Sequence, residues 1–373
     1  MMMDAALKER ALEFVRLAAD HLVENQCHEK YDANYGRFPF YYEPGGESWG
    51  ANNWNLAFGF MAMYAAARAL NEPKYAKAGR DMIGYLKRLQ IFDPYLQDHY
   101  GAIRELTPQT PWCYTRDALS GAWGFLEYFR ETGDEMGLER AEMWFDWFMR
   151  KGMDEGGYPL WGVRFEPGDE SCQMCNDMRG SFQGGGLNFF YQMFRTTGDD
   201  RYVGKFFENI ADYFVSCIQQ EDGFFRTVEA ATGKVPPADP QNGLHRVNDD
   251  LGTLGLLCAL QVYPKPEYQA AIDKFLKAVF ARQEESGHFE HTCAGIPVIL
   301  NICHELGRPW DEAQEKALNA LLSRQFRDPS DKLRYGGLNE MDNGAVCARS
   351  LCYSIIVLCK IFADDHRFLT VNG

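Results

Sequence analysis

The sequence predicts an all-α fold, a single (α/α)6 toroid spanning residues 1–373. Three observations carry that prediction. Amphipathic helices recur at a period of about 60 residues, the mark of a repeat architecture. Each is preceded by a more apolar helix rich in Gly and Ala, and short and long connections alternate between them. A helix with apolar residues at three and four spacing buries one face, whereas a helix apolar on all sides must be surrounded. Six such pairs closing on themselves place the apolar helices inside and the amphipathic ones outside.

Along the chain, "ALKERALEFVRLAADHLVEN" is the first outer helix. The inner helices are "ANNWNLAFGFMAMYAAARAL", "TRDALSGAWGFLEYFRET", "RGSFQGGGLNFFYQMFRT", "VNDDLGTLGLLCALQVY", "HTCAGIPVILNICHEL" and "NGAVCARSLCYSIIVLCKIF". Between them fall the outer helices "EPKYAKAGRDMIGYLKRLQ", "DEMGLERAEMWFDWFMRKG", "DDRYVGKFFENIADYFVSCIQQ", "PEYQAAIDKFLKAVFARQ" and "WDEAQEKALNALLSRQF". Inner-to-outer turns are short and carry Gly or Pro, as in "NEP", "TGDEM" and "GRP". Outer-to-inner connections are longer, and all mix Gly, aromatics and charge: "YGRFPFYYE", "YGAIRELT", "GGYPLWGVRFE", "DGFFRTVE", "SGHFEHT" and "LRYGGLNE". These six loops would form a mouth over the N-terminal ends of the inner helices, where a rigid scaffold presents functional residues. The glycines Gly184 to Gly186 cost helix propensity, and close packing of an inner helix is the expected reason.

Composition narrows the partners. A net charge of −15 with no basic run argues against nucleic acid or an anionic membrane surface. No apolar run is long enough to cross a bilayer and the N-terminus has no apolar signal core, so a cytoplasmic location is expected. Most of the eleven cysteines sit in apolar helical stretches and read as reduced core thiols. The pair Cys172 and Cys175 has zinc spacing but no second pair at finger distance, so neither metal nor cofactor is expected.

Three inner helices begin with carboxylates: Asp117, Asp177, and the neighbours Asp249 and Asp250. Asp is a good N-cap, which accounts for any one of them. Carboxylates converging on one rim also provide what glycosidic cleavage needs, one to protonate and one to activate or stabilise. The mouth loops also carry Arg37, Arg104, Arg116, Arg164, Arg179, Arg226, Arg246 and Arg334, a density that suggests a bidentate site for a carboxylate-bearing ligand. Trp49, Trp54, Tyr114, Trp161 and Tyr335 are placed to stack on sugar faces or to pack in the core.

The stretch "YTRDALSGAWGFLEYFRETGD", followed by "NDMRGSFQGGGLNFFYQMFRTTGDDRY", resembles the unsaturated glucuronyl hydrolases and their rhamnogalacturonyl relatives among the six-hairpin glycosidases. In that family an inner helix opening on an HDLGF-like motif supplies one Asp, and a later helix opening with Asp-x-Met/Leu supplies the acid/base Asp. The resemblance implies Asp117 for the first and Asp177 for the second. Arg116 stands where the family has His, and Gln183 and Gly184 stand where it has apolar residues. The implied activity is removal of a uronic acid, saturated or unsaturated, from an oligosaccharide. Arg179, Arg246 and Arg334 would clamp the carboxylate, and His245, Gln183, Arg116, Asp249, Tyr114, Trp54 and Trp161 would line the substrate. Two alternatives share the toroid. One is a sugar epimerase resembling the N-acylglucosamine 2-epimerases, with His288 and His291 as a proton-transfer pair; the other is a uronate lyase. A non-catalytic oligosaccharide binder would need no carboxylate pair.

Overall fold

The computed structural model describes residues 5–42, 48–166, 174–180, 182–237, 251–289, 295–339 and 344–372. Within them lie twelve α-helices in the expected alternation. The outer set is α1 (Ala5–Glu24), α3 (Pro73–Leu89), α5 (Glu135–Lys151), α7 (Lys205–Tyr213), α9 (Pro266–Ala281) and α11 (Glu312–Ser323). The inner set is α2 (Asn53–Leu70), α4 (Thr115–Thr132), α6 (Phe182–Thr197), α8 (Gly252–Val262), α10 (Gly295–Glu305) and α12 (Ala348–Ala363). α2, α4, α6 and α8 pack in succession and α10 packs on α12, which returns to α2 and closes the ring. The inner helices are buried almost all round, as their apolar sequences require, and one continuous core runs between the two rings.

A repeated device joins the outer helices at the mouth end. Gln26, Gln90, Gln219, Gln283 and Gln325 follow α1, α3, α7, α9 and α11. Each donates its side-chain amide to two carbonyls, one on a glycine of its own loop and one on the next outer helix. Gln283 Nε2 reaches Gly287 O at 3.1 Å and Ala313 O at 2.9 Å; Gln325 Nε2 reaches Gly336 O at 3.1 Å and Phe14 O at 2.9 Å. The equivalent pairs are Gly36 with Ala78, Gly101 with Arg140, and Gly223 with Ala271. These loop glycines have positive φ and lie directly on the neighbouring helix backbone: a Cβ on Gly287 would stand 2.3 Å from Lys316 O. The glycine is therefore demanded twice, by conformation and by space.

The joint from α5 to α7 departs from the pattern. Met153 occupies the glutamine position, and Gly157 keeps a φ of +77° with nothing near its missing Cβ. Aromatic packing of Phe145 against Tyr202 and Phe206 holds this joint instead. The expected single outer helix over residues 199–220 is also divided here: a 3₁₀ turn at Asp200–Val203, α7 from Lys205, and a π-helical turn at Phe214–Ile218. Gly204 separates the first two pieces. The glycine run in α6 is not tightly packed at its centre. A Cβ on Gly185 would meet only Leu119, at 3.9 Å; the close approach lies at Gly124 of α4, whose Cβ would fall 2.7 Å from Ala57 of α2.

The end opposite the mouth is closed by the C-terminal segment. Lys360, fully buried, bonds Glu305 Oε1 at 2.7 Å, Asn301 Oδ1 at 2.7 Å and Leu369 O at 2.6 Å. Gln192 and Arg195 of α6 donate to Thr370 O and Val371 O, and Phe368 packs on Phe60 of α2. The tail thus ties α2, α6, α10 and α12 together and leaves the mouth as the accessible end. No helix among the described residues is long and apolar enough to cross a membrane.

Two consequences are measurable by urea unfolding. Gly287→Ala should cost about 2 to 4 kcal/mol, from left-handed strain plus the clash with Lys316, whereas Gly157→Ala should cost only about 1 kcal/mol, from strain alone. The second concerns His21, buried in α1 with Nδ1 3.0 Å from Tyr335 O. Burial lowers its pKa to about 4, against 6.5 for a free imidazole. The unfolded chain then binds the extra proton between those values, so this contribution is complete above pH 6.5 and is lost as pH falls towards 4. The loss totals roughly 3 kcal/mol. His21→Gln, which keeps a donor for the Tyr335 carbonyl, should flatten that part of the stability profile.

Candidate active site

Three small antiparallel sheets line the mouth. β1 (Pro39–Tyr42) lies between β2 (Ser48–Gly50) and β7 (Val346–Cys347), β3 (Trp112–Tyr114) pairs with β4 (Gly162–Arg164), and β5 (Met178–Arg179) pairs with β6 (Val228–Glu229). β2, β3, β5 and β7 carry the chain into the first turns of α2, α4, α6 and α12.

At the start of α2, Asn52 and Asn55 form a capping box: Asn52 Oδ1 accepts from Asn55 N at 3.0 Å, and Asn55 Oδ1 accepts from Asn52 N at 3.4 Å. With its oxygen committed to the cap, Asn52 turns its Nδ2 across the mouth to two carboxyl groups. It lies 3.0 Å from Glu105 Oε1 and 3.2 Å from Asp117 Oδ2. Glu105 is only 2% exposed; its Oε2 accepts from Tyr114 N at 2.9 Å, and its own carbonyl accepts from Asn53 N at 3.0 Å. Asp117 lies in the first turn of α4, with Arg116 Nη1 3.4 Å from its Oδ1. The Arg116 guanidinium also lies over the Trp54 indole, 4.9 Å from the ring centroid. Burial, and next the negative charge of Asp117, push the Glu105 carboxyl well above the usual carboxylate range, outweighing the bonds from Tyr114 and Asn52.

Four of the expected residues therefore come together: Asp117, Arg116, Trp54 and Tyr114. Sequence reasoning missed Asn52 and Glu105. Glu105 is the second residue of "RELT" in a mouth loop, where a charge reads as solvated; nothing local signals that the next strand and Asn52 enclose it.

Asp177 belongs to the adjoining loop. It is exposed, its carbonyl accepts from Ala230 N at 2.6 Å, and it stands ahead of β5, five residues before α6 begins, so it is not the helix cap its sequence suggested. It is nevertheless tied to the α4 rim. Asn176 brackets Gly162 with bonds of 3.0 and 3.1 Å, Gly162 pairs with Tyr114, and Trp161 O accepts from Thr115 N.

Two members of the expected carboxylate clamp are already engaged. Arg179 is ion-paired with Asp154 and lies against the rings of Tyr158 and Tyr213, which pack on each other. Arg334 pairs with Asp331, donates to Gly344 O at 3.0 Å and lies over Phe326. Their charges are matched by nearby Asp side chains, so neither is a spare cation for a ligand. Gln183 falls in the first turn of α6. His245, Arg246, Asp249, Asp250 and His291 lie outside the described residues, as does Cys172 of the paired cysteines. Among the described residues no group of three His, Cys, Asp or Glu side chains is placed to hold a metal ion.

A ring of six helical hairpins with one closed end and a carboxyl-bearing mouth defines the chain as an (α/α)6 toroid of the six-hairpin type. Solved structures share that architecture over nearly the whole chain. The cellobiose 2-epimerase of Bacillus thermoamylovorans superposes with a TM-score of 0.70 at 14% identity, covering 95% of this chain and 99% of its own. A sugar epimerase from a ruminal bacterium gives 0.71 at 11% identity, covering 96% and 99%. An inactive variant of the family 76 α-1,6-mannanase of Salegentibacter sp., in complex with α-1,6-mannotriose, gives 0.62 at 12% identity, covering 94% and 99%. At such identities the likeness establishes the fold. No protein-family model matches the chain, and no curated protein matches it in sequence.

Arg179 can be tested as a structural residue. Arg179→Ala should lower unfolding stability by about 1 to 3 kcal/mol through loss of a charge-assisted bond. Calorimetric titration should show no selective loss of affinity for a uronate-terminated sugar relative to its neutral counterpart.

Proposed function

We propose that the protein is a carbohydrate-processing enzyme, a glycoside hydrolase whose acid/base chemistry is carried by carboxyl groups at the mouth. The observation that carries this reading is the Glu105–Asp117 pair, seated beside an indole capped by Arg116. Asp177 would give its proton to the departing glycosidic oxygen as the C–O bond breaks. Asp117 would take a proton from the water whose oxygen bonds to the anomeric carbon. Arg116 holds the Asp117 carboxylate in place, and the buried Trp54 indole supports the guanidinium. Uronate selectivity has less support, because Arg179 and Arg334 are matched by Asp154 and Asp331; it would fall to Arg116 and Arg246.

A second reading, sugar epimerisation, has a specific observation in its favour. His288 Nε2 lies 3.5 Å from Arg324 Nη1 on a mouth loop, a histidine beside a fixed cation. The two reactions separate cleanly in deuterated water. A panel of cellobiose, α-1,6-mannobiose and saturated or unsaturated uronyl disaccharides should yield new reducing ends on hydrolysis. Epimerisation would yield an isomer of equal length carrying deuterium. On a hydrolysed substrate, Asp117→Asn and Asp177→Asn should each lower turnover by at least about 100-fold with binding largely kept. Near-normal turnover in either variant would remove that residue from the mechanism.

A further inference from the structure

Among the described residues, Glu105 is the carboxyl that shares Asn52 with Asp117, and its surroundings are unusual. Asn52 Nδ2 serves both groups at 3.0 and 3.2 Å, so the two carboxyls are never further apart than two hydrogen bonds through one nitrogen. Glu105 is sealed from solvent, and no cation is among its partners in the described residues. From α2 it meets the neutral Asn52 and Asn53, and from β3 the Tyr114 N–H. Arg104, its chain neighbour, turns away to Thr110 O at 2.7 Å and the ring of Phe165. From α4 it faces Asp117, and Arg116 is spent on the other oxygen of Asp117. Two like charges this close in a dry site cannot both be held, and one proton must stay.

We propose that Glu105 and Asp117 share one proton as a single titrating dyad, with Glu105 the positioning residue that retains it and Asp117 the carboxylate that meets substrate. This rests on the glycosidase reading only for what Asp117 does to substrate; the dyad itself is a property of the resting site. With the proton on Glu105, Asp117 is the one anion and Asn52 can bridge both. When the last proton leaves, two anions face each other across the Asn52 amide, and Asp117 loses its fixed position. The Glu105 proton is therefore held by burial and by the charge of Asp117, and its loss limits the placement of Asp117 on the alkaline side.

Carbon-13 NMR of protein labelled at Glu and Asp carboxyls tests this without a substrate. One Glu signal should remain protonated at a pH where the ordinary Glu signals have finished titrating. It should be absent in Glu105→Gln, and its midpoint should fall by about one pH unit or more in Asp117→Asn, where the like charge is gone. If every Glu titrates in the ordinary range, or Asp117→Asn leaves the Glu105 midpoint in place, the dyad is wrong. Activity supplies a separate readout on any glycoside the enzyme cleaves. Glu105→Gln keeps a neutral group that can bond Asn52 and Tyr114, so it should retain kcat at low pH within a few fold while the alkaline limb moves up or disappears. An unchanged alkaline limb would overturn the assignment, and a uniform loss of kcat at every pH would show a merely structural residue. Should no glycoside be cleaved, the functional reading fails and the NMR result still decides the dyad.

Discussion

A glutamine amide that bridges two backbone carbonyls is the contact on which the toroid's geometry depends. At five of the six outer joints it fixes the distance between one loop and the next helix, and a positive-φ glycine lets those backbones touch. A ring of twelve helices has no sheet ladder to set its register. Side-chain packing alone would allow each hairpin to slide or tilt. A buried amide with two fixed carbonyl partners is directional, and leaving either carbonyl unpaired would cost about 1 to 3 kcal/mol. The joint without it, between α5 and α7, is also where the outer helix breaks into three pieces. Regular curvature elsewhere brings the inner helix N-termini to one rim, and the mouth follows from that.

The helices were legible because burial imposes periodicity. α4 runs over the same residues as its apolar pattern, and α2 and α3 differ from theirs by one or two residues. The clamp was only half legible. All six loop glycines stand in the quoted outer-to-inner stretches, yet glutamine is ordinary at a helix end, and its partner on the next outer helix is a backbone atom some 30 to 310 positions away. Asp117, Arg116 and Trp54 could be picked out because they flank the first turns of inner helices, where chain direction alone points them at the mouth. Glu105 could not, because its role is set by enclosure. The break at Gly204 was hidden for a different reason: residues on both sides keep helical spacing, and only tertiary packing of Tyr202 and Phe206 on Phe145 separates them.

Many arginines on the loops of an acidic chain suggested an anion site, and several of those in the described residues also have partners within the chain. Arg179, Arg226 and Arg334 each have an Asp as ion-pair partner, and Arg37 and Arg104 are spent on backbone carbonyls and aromatic faces. These arginines pin the loops of the mouth; a planar guanidinium that pairs, donates and stacks at once is suited to that task. The same economy closes the far end, where a single buried Lys360 collects a carboxylate and an amide from α10 and a carbonyl from the C-terminal segment.

What distinguishes the two carboxyls of the site is the surroundings each one has. Asp117 occupies the first turn of α4, where the helix dipole favours an anion by about 0.3 to 1 kcal/mol, and Arg116 lies against it. Glu105 has no cation among its partners in the described residues, and it is sealed beneath the strand that leads into α4. Desolvation weighs most on the more deeply buried charge, so the negative charge settles on Asp117 and the proton on Glu105. Asn52 reinforces that division without choosing it, since its amide can donate to either group. The capping box explains why Asn52 is available at all: capping α2 takes its oxygen and its backbone N–H, and leaves Nδ2 free to bridge. A device that begins as helix-end chemistry thereby fixes the charge state of the carboxylate most exposed to whatever enters the mouth.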